Sequence, residues 1–305
     1  MKAVQFSEYG EPDVLRVADA EEPHAGPGEV RIAVRAAGVN PIDWKIRSGM
    51  LAGGEPLAAP VIPGLDAAGV VDEVGDGVTG VAPGDAVFGS ARGGATAQYA
   101  VLTQWAAKPD GLSFEEAAGL PVPTETAKRV LDLLATPDGG TVLVNGAAGG
   151  VGSAAVQFAR ARGLRVVGTA SERNHDYLRS LGAEPVTYGE GLVERVRAVA
   201  PDGVDRAFDT AGRGALPDLI ELTGGPEHVV TIADFQAAPG LGVRLTAGGS
   251  GERRAWEALG EAAALHAEGR FSLPVERSFP FSEAAEAHRL SQEGHVRGKL
   301  TLVPD

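Results

Sequence analysis

The chain has no cysteine. Disulfides, thiolate nucleophiles and cysteine-held zinc are therefore excluded. Basic charge is short as well: Lys and Arg total 27 against 41 Asp and Glu, a net charge of −14. An acidic chain repels nucleic acid and anionic membrane surfaces, so neither is an expected partner, although one local basic pocket could hold a phosphate. No apolar run approaches the length that spans a bilayer. The opening Met1–Phe6 lacks the apolar core of a signal peptide. The expectation is a soluble, cytoplasmic protein.

What is present points to two domains. The chain has 305 residues, 44% of them hydrophobic, enough for two cores. The first third reads as β-rich. Glu29–Ala37 alternates polar and apolar residues, as a half-buried strand does. Gly69–Val74 and Asp85–Gly89 are further short strands, separated by the turn signals Gly75-Asp-Gly77 and Pro83-Gly-Asp85. Ser113-Phe-Glu-Glu116 is a capping box, and a second helix is expected from about Glu125 to Leu134. Strands and helices then alternate. Strands are expected at Thr141–Asn145, Arg165–Thr169, Val186–Tyr188, Val204–Asp209, His228–Ala233 and Leu241–Thr246, and helices at Gly150–Arg162 and Arg173–Leu181. That order implies a parallel sheet with helices on both faces. A helix over Arg254–Glu268 follows, then strands at Leu273–Phe279 and Lys299–Val303, read as a return to the first domain. The expected division is 1–120, 121–250 and 251–305, with the last part completing the first.

One segment carries chemistry. Val142–Gly152 follows a strand and opens a helix, and Ala147, Gly149 and Gly152 occupy the three positions of a dinucleotide fingerprint. The chain must turn sharply there and bring its backbone against a pyrophosphate. Gly149 offers no side chain to block that approach, and Gly152 lets the helix pack on its strand. Free N–H groups of Gly150, Val151 and Gly152 at the positive helix end would receive the phosphates. NAD enzymes usually carry an acid at the end of the second strand. Here that end reads Ala170-Ser171-Glu172-Arg173. Ser171 and Arg173 suit a 2′-phosphate, which favours NADPH, while Glu172 would repel it and Arg173 also reads as a solvated helix residue.

These features, taken with Ala37-Gly-Val-Asn40-Pro-Ile-Asp43, Ile62-Pro-Gly-Leu65-Asp66-Ala-Ala-Gly69, Pro83–Gly89 and the tail Gly298-Lys299-Leu-Thr-Leu302, resemble the zinc-independent medium-chain dehydrogenases/reductases of the quinone oxidoreductase type. The resemblance spans nearly the whole chain. It implies an α/β protein: a doubly wound Rossmann sheet plus a GroES-like β-barrel domain. Zinc-dependent members have Cys near Val39-Asn40 and Gly-His-Glu where this chain has Gly64-Leu65-Asp66, so a zinc-activated mechanism is not expected. By the same resemblance Asn40 lies beside the nicotinamide, Asp43 matches the acid that follows it, and Thr126 contacts the carboxamide end. Tyr188 lies near the 2′-phosphate, Ile232 and Ala233 line the nicotinamide, and Gly298 and Lys299 return over the cofactor. Family tyrosines after Asp43 are replaced here by Lys45 and Leu51, which leaves the acceptor open.

Without metal, hydride transfer needs an acceptor that is already electrophilic, a quinone or an α,β-unsaturated carbonyl. Charge on the acceptor oxygen needs donors. Asn40, Lys45 and a tail N–H are the candidates, although Asn40 and Asp43 also read as turn-fixing residues and Lys45 as a surface cation beside Trp44. Two other readings stay open. One is a tailoring enzyme for a bulky polyketide-like acceptor, with Met50–Leu57 lining its pocket. The other is an NADPH-binding sensor with little turnover. A homodimer through the sheet edge near Leu241–Thr246 is expected by analogy.

Overall fold

The computed structural model describes residues 1–249 and 251–305. They form two compact units, Met1–Val122 with Leu259–Asp305, and Pro123–Ala258.

The first unit opens with an antiparallel pair, β1 (Lys2–Gln5) and β2 (Arg16–Asp19). Strand β3 (Val30–Val39), helix α1 (Pro41–Arg47) and strands β4 (Asp66–Val74), β5 (Ala86–Arg92) and β6 (Tyr99–Ala107) follow. These strands are antiparallel neighbours in sequence order, and β6 also pairs back onto β3. That pairing closes β3, β4, β5 and β6 into a ring, as in a small barrel. Alternate residues of β3, Val30, Ile32 and Val34, point into the core with Leu102. Helix α1 and strand β6 were not foreseen. Helix α1 is short and starts at a proline, and β6 (YAVLTQWAA) lacks clean alternation. Helix α2 (Phe114–Ala118) starts on the expected box, with Ser113 Oγ accepting from Glu116 N–H at 3.1 Å and Glu116 Oε2 from Ser113 N–H at 2.9 Å.

Helix α3 (Pro121–Leu134) begins four residues before the expected Glu125. Pro121 and Pro123 fall in its first turn, where no N–H is needed for the helix ladder, so they do not break it. Strands β7 (Thr141–Asn145), β8 (Arg165–Thr169), β9 (Glu184–Val186), β10 (Arg206–Asp209), β11 (Val229–Thr231) and β12 (Arg244–Leu245) are interleaved with helices α4 (Gly150–Ala161), α5 (His175–Ser180), α6 (Leu192–Val199), α7 (Leu216–Thr223) and α8 (Ala237–Leu241). All six strands are parallel, in the order β12-β11-β10-β7-β8-β9. Strand β9 lies two residues earlier than expected. Pro185 is tolerated there because β9 is an edge strand, and Tyr188 lies past its end. The expected strand at Leu241–Thr246 is reduced to two residues, since Leu241 ends α8. A one-turn 3-10 helix at Glu172–Asn174 stands where α5 was expected to start.

Helix α9 (Ala258–Ala267), β13 (Val275–Pro280), α10 (Ala284–Glu293) and β14 (Lys299–Val303) complete the chain. Strand β14 pairs with β3, so the tail joins the first sheet. The return begins at Leu259 rather than at 251. Glu125 explains the difference. Its buried carboxylate accepts the Ala255 N–H at 3.1 Å and pairs with Arg254 at 3.0 Å and Arg129 at 2.9 Å, which ties the segment before α9 to the second unit.

Candidate active site

In the second unit the loop after β7 has the geometry a dinucleotide requires. Gly149 is the N-cap of α4. An ideal Cβ there would meet only Gly146 O, at 3.6 Å, so the space over the helix start is open. At Gly152 the space is closed: a Cβ would lie 2.2 Å from Gly146 O and 2.7 Å from Ala147 Cα. Any larger residue would push α4 off β7. Gly150, Val151 and Gly152 are the first residues of α4, where helix N–H groups have no intrahelical carbonyl, the arrangement that takes phosphate. A nicotinamide dinucleotide fits this cradle.

The strand ends hold a network that sequence reading missed. The last residues of β7, β8, β10 and β11 are Asn145, Thr169, Asp209 and Thr231, all buried. Asn145 donates to Asp209 at 2.8 Å and accepts from Thr169 at 2.6 Å, and Thr231 donates to Asp209 at 2.7 Å. Thr169 Oγ1 in turn accepts Gly146 N–H at 3.0 Å, Asp209 Oδ1 accepts Gly212 N–H at 2.8 Å, and Thr231 Oγ1 accepts Ala233 N–H at 3.0 Å. One shared network thus holds three loops at the carboxyl ends of the strands, where doubly wound sheets bind ligands. The signal was available: each apolar strand ends in a single polar residue.

The other cofactor-side residues lie as follows. Ser171 is half-buried, and its hydroxyl accepts from Asn174 at 3.3 Å. Arg173 is exposed, and so is Tyr188, at 45%. Ile232 and Ala233 follow β11, with the Ile232 N–H bound to Asp209 O at 3.0 Å. Thr126 lies on α3 with its hydroxyl 3.4 Å from Glu125 Oε2.

The first unit gathers a second polar group. Asn40, Asp43, Asp66 and Lys299 are each 0–4% exposed. Asn40 caps α1. Its main-chain N–H donates to Asp43 Oδ2 at 2.8 Å, its Nδ2 donates to Asp66 Oδ2 at 2.8 Å, and its Oδ1 accepts from Lys299 Nζ at 2.6 Å. Lys299 also donates to Val39 O at 2.8 Å, and Asp66 Oδ1 accepts the Val122 N–H at 2.9 Å. Burial, with Asp66 adding repulsion, pushes the Asp43 carboxyl up to about 7, against the Asn40 N–H and Lys299. Its Oδ1 has no hydrogen-bond partner among the described residues. Burial pushes the Lys299 ammonium down, with Asp66 and Asp43 opposing. The tail reaches this place because Gly298 adopts φ +71° with its Cα pressed on the chain at Pro274; a Cβ would lie 2.1 Å from Pro274 O. The structure therefore joins Lys299 to Asn40, an association that the resemblance had not suggested. Lys45 is half-buried, stands 5.7 Å over the Trp44 ring and has its ammonium lowered by burial.

Comparison with known proteins agrees with this layout. The GroES-like domain of alcohol dehydrogenases matches residues 26–114, and a model described as zinc-binding dehydrogenase matches residues 181–302. Human quinone oxidoreductase is 41% identical, with 99% of this chain and 98% of that protein covered. An NADPH-dependent alkenal/one oxidoreductase of Arabidopsis thaliana is 32% identical over 100% of this chain and 80% of its own length. The quinone oxidoreductase structure from Coxiella burnetii superposes with a TM-score of 0.82 at 32% identity, covering 100% of this chain and 99% of the other. The chain belongs to the medium-chain dehydrogenase/reductase family, in its quinone oxidoreductase-like branch.

Proposed function

We propose that the protein is an NADPH-dependent reductase that transfers hydride to a quinone or an α,β-unsaturated carbonyl without zinc. The observation that carries this reading is the Asn40–Asp66–Lys299 group. A zinc ion, suggested by the name of one matching model, does not fit the residues present. Leu65 has no donor atom and the chain has no cysteine. The Asp66 carboxylate already serves Asn40 and Val122, and the Lys299 ammonium 3.8 Å away would repel a cation. Lewis-acid activation of a plain ketone has no support, whereas a conjugated acceptor needs none.

NADPH, when bound, supplies hydride from its nicotinamide C4. The start of α4 would receive the pyrophosphate, and Ser171 and Arg173, with Tyr188 nearby, would take the 2′-phosphate. Thr126, Ile232 and Ala233 would line the nicotinamide end. The second N–H of Asn40 Nδ2 and the Lys45 ammonium stabilise charge that develops on the acceptor oxygen. Asp43 holds the turn that presents Asn40. Water protonates the enolate, so the site requires no dedicated acid. Likeness to the human quinone oxidoreductase and the Arabidopsis alkenal/one oxidoreductase supports the acceptor class.

The test is cofactor oxidation with NADPH and NADH in parallel, against a benzoquinone, a cyclic enone and a saturated ketone. Turnover of quinone or enone with NADPH, indifferent to a chelator, is expected. Reduction of the ketone, loss of activity to the chelator, or equal use of NADH would each overturn part of the reading.

A further inference from the structure

We propose that Lys299 is a positioning residue that fixes the orientation of the Asn40 amide in the reduction site. The proposal rests on the reading above that Asn40 faces the acceptor.

An Asn side chain is nearly symmetric in shape but not in chemistry: one end donates and the other accepts. Which end faces the acceptor decides whether Asn40 can stabilise an oxyanion at all. Two buried groups make that choice. Lys299 Nζ can only donate, and it meets Oδ1 at 2.6 Å. Asp66 Oδ2, as a carboxylate, accepts, and it meets Nδ2 at 2.8 Å. Turning the amide by half a revolution would set donor against donor and acceptor against acceptor at both contacts. Lys299 and Asp66 therefore permit one orientation, in which a single N–H of Nδ2 is used internally and the other remains for a ligand.

Lys299 is committed to this task. Its ammonium faces Asn40 Oδ1 at 2.6 Å, Val39 O at 2.8 Å and Asp66 at 3.8 Å, and the residue is 4% exposed. The charged groups acting on it are Asp66 on β4 and Asp43 on α1. A residue arranged to hold cofactor phosphate would keep its donors free instead.

The experiment compares wild type, Lys299→Met, Asn40→Ala and their combination. NADPH affinity by nicotinamide fluorescence, kcat and KM for benzoquinone, and the Asn40 side-chain amide signal by NMR are the readouts. Should Lys299→Met not fold, Lys299→Met with Asp66→Asn removes both charges together and takes its place. The expected results are an NADPH Kd within about twofold of wild type and a kcat lower by about tenfold with KM little changed. Adding Lys299→Met to Asn40→Ala is expected to lower kcat no further, because both changes act through one amide. An NADPH Kd raised about tenfold, an unchanged kcat, or losses that multiply would overturn the proposal. If wild type reduces no quinone or enone, the functional reading itself fails, and the amide signal alone decides. Exchange-protected Asn40 amide protons that disappear in Lys299→Met uphold the positioning role; their persistence refutes it.

Discussion

Two buried groups of the first unit impose opposite pH dependences that mask each other, and one substitution should expose them. Asp43 is 3% exposed, and its carboxyl is raised from 3.8 to about 7 by burial and by Asp66. The folded chain therefore holds a proton that the unfolded chain releases between about pH 4 and 7. Stability falls as pH rises through that window and stays low above it. His288 is 1% exposed and lowered from 6.5 to about 4, first by burial and then by Arg47. Its contribution is present above about 6.5 and is lost as pH falls toward 4. At about 1.4 kcal/mol per pH unit, the full spans are worth about 4 kcal/mol for Asp43 and about 3 kcal/mol for His288. The windows overlap and the signs oppose, so the wild-type profile shows little of either.

Asp43→Asn keeps an acceptor for the Asn40 N–H and removes the titration. Relative to wild type, it should gain about 3 kcal/mol between pH 5 and pH 8. Urea unfolding at fixed pH, followed by Trp44 and Trp105, reports on this unit; Trp256 reports on the other. A stability difference that stays flat within about 0.5 kcal/mol across that range would refute the reasoning.

Other substitutions test other parts. His288→Gln should show the mirror image of the Asp43 variant, gaining on wild type as pH falls below 6.5 in the same urea series. Gly152→Ala sets a methyl group 2.2 Å from Gly146 O, so it should cost roughly 2 kcal/mol and weaken NADPH and NADH alike by calorimetry. Arg173→Ala should raise the NADPH Kd about tenfold and leave that for NADH unchanged, since only the former carries a 2′-phosphate. Gly298→Ala meets both a left-handed backbone and Pro274 O, and a fall in the unfolding midpoint of the first unit by urea titration is expected. Light scattering should find a dimer, with β12, the outer strand of the parallel sheet, as the pairing edge.

Much of this protein is decided locally. The strand–glycine loop–helix run at Val142–Gly152 needs only its own residues, because each glycine answers a backbone requirement within a few positions. The Ser113–Glu116 box stops and starts the chain in the same way. Cysteine-held zinc was excluded on composition, whereas the expectation of a zinc-free mechanism also needed the resemblance at Gly64-Leu65-Asp66. Elements whose stability comes from partners were hidden. Strand β6 is held by pairing with both β5 and β3, α1 is a single proline-led helix under a cap, and α3 runs back through two prolines. The candidate site divides along the same line. Asn40 and Asp43, three residues apart on one helix start, are visible in sequence. Asp66 lies 26 residues beyond Asn40 and Lys299 a further 233, and only the meeting of β3, β4 and β14 brings their charges to one amide. Likewise Asn145, Thr169, Asp209 and Thr231 look like four unrelated strand ends. They become one network only when the parallel sheet lays those ends side by side, where burial requires each polar group to find another.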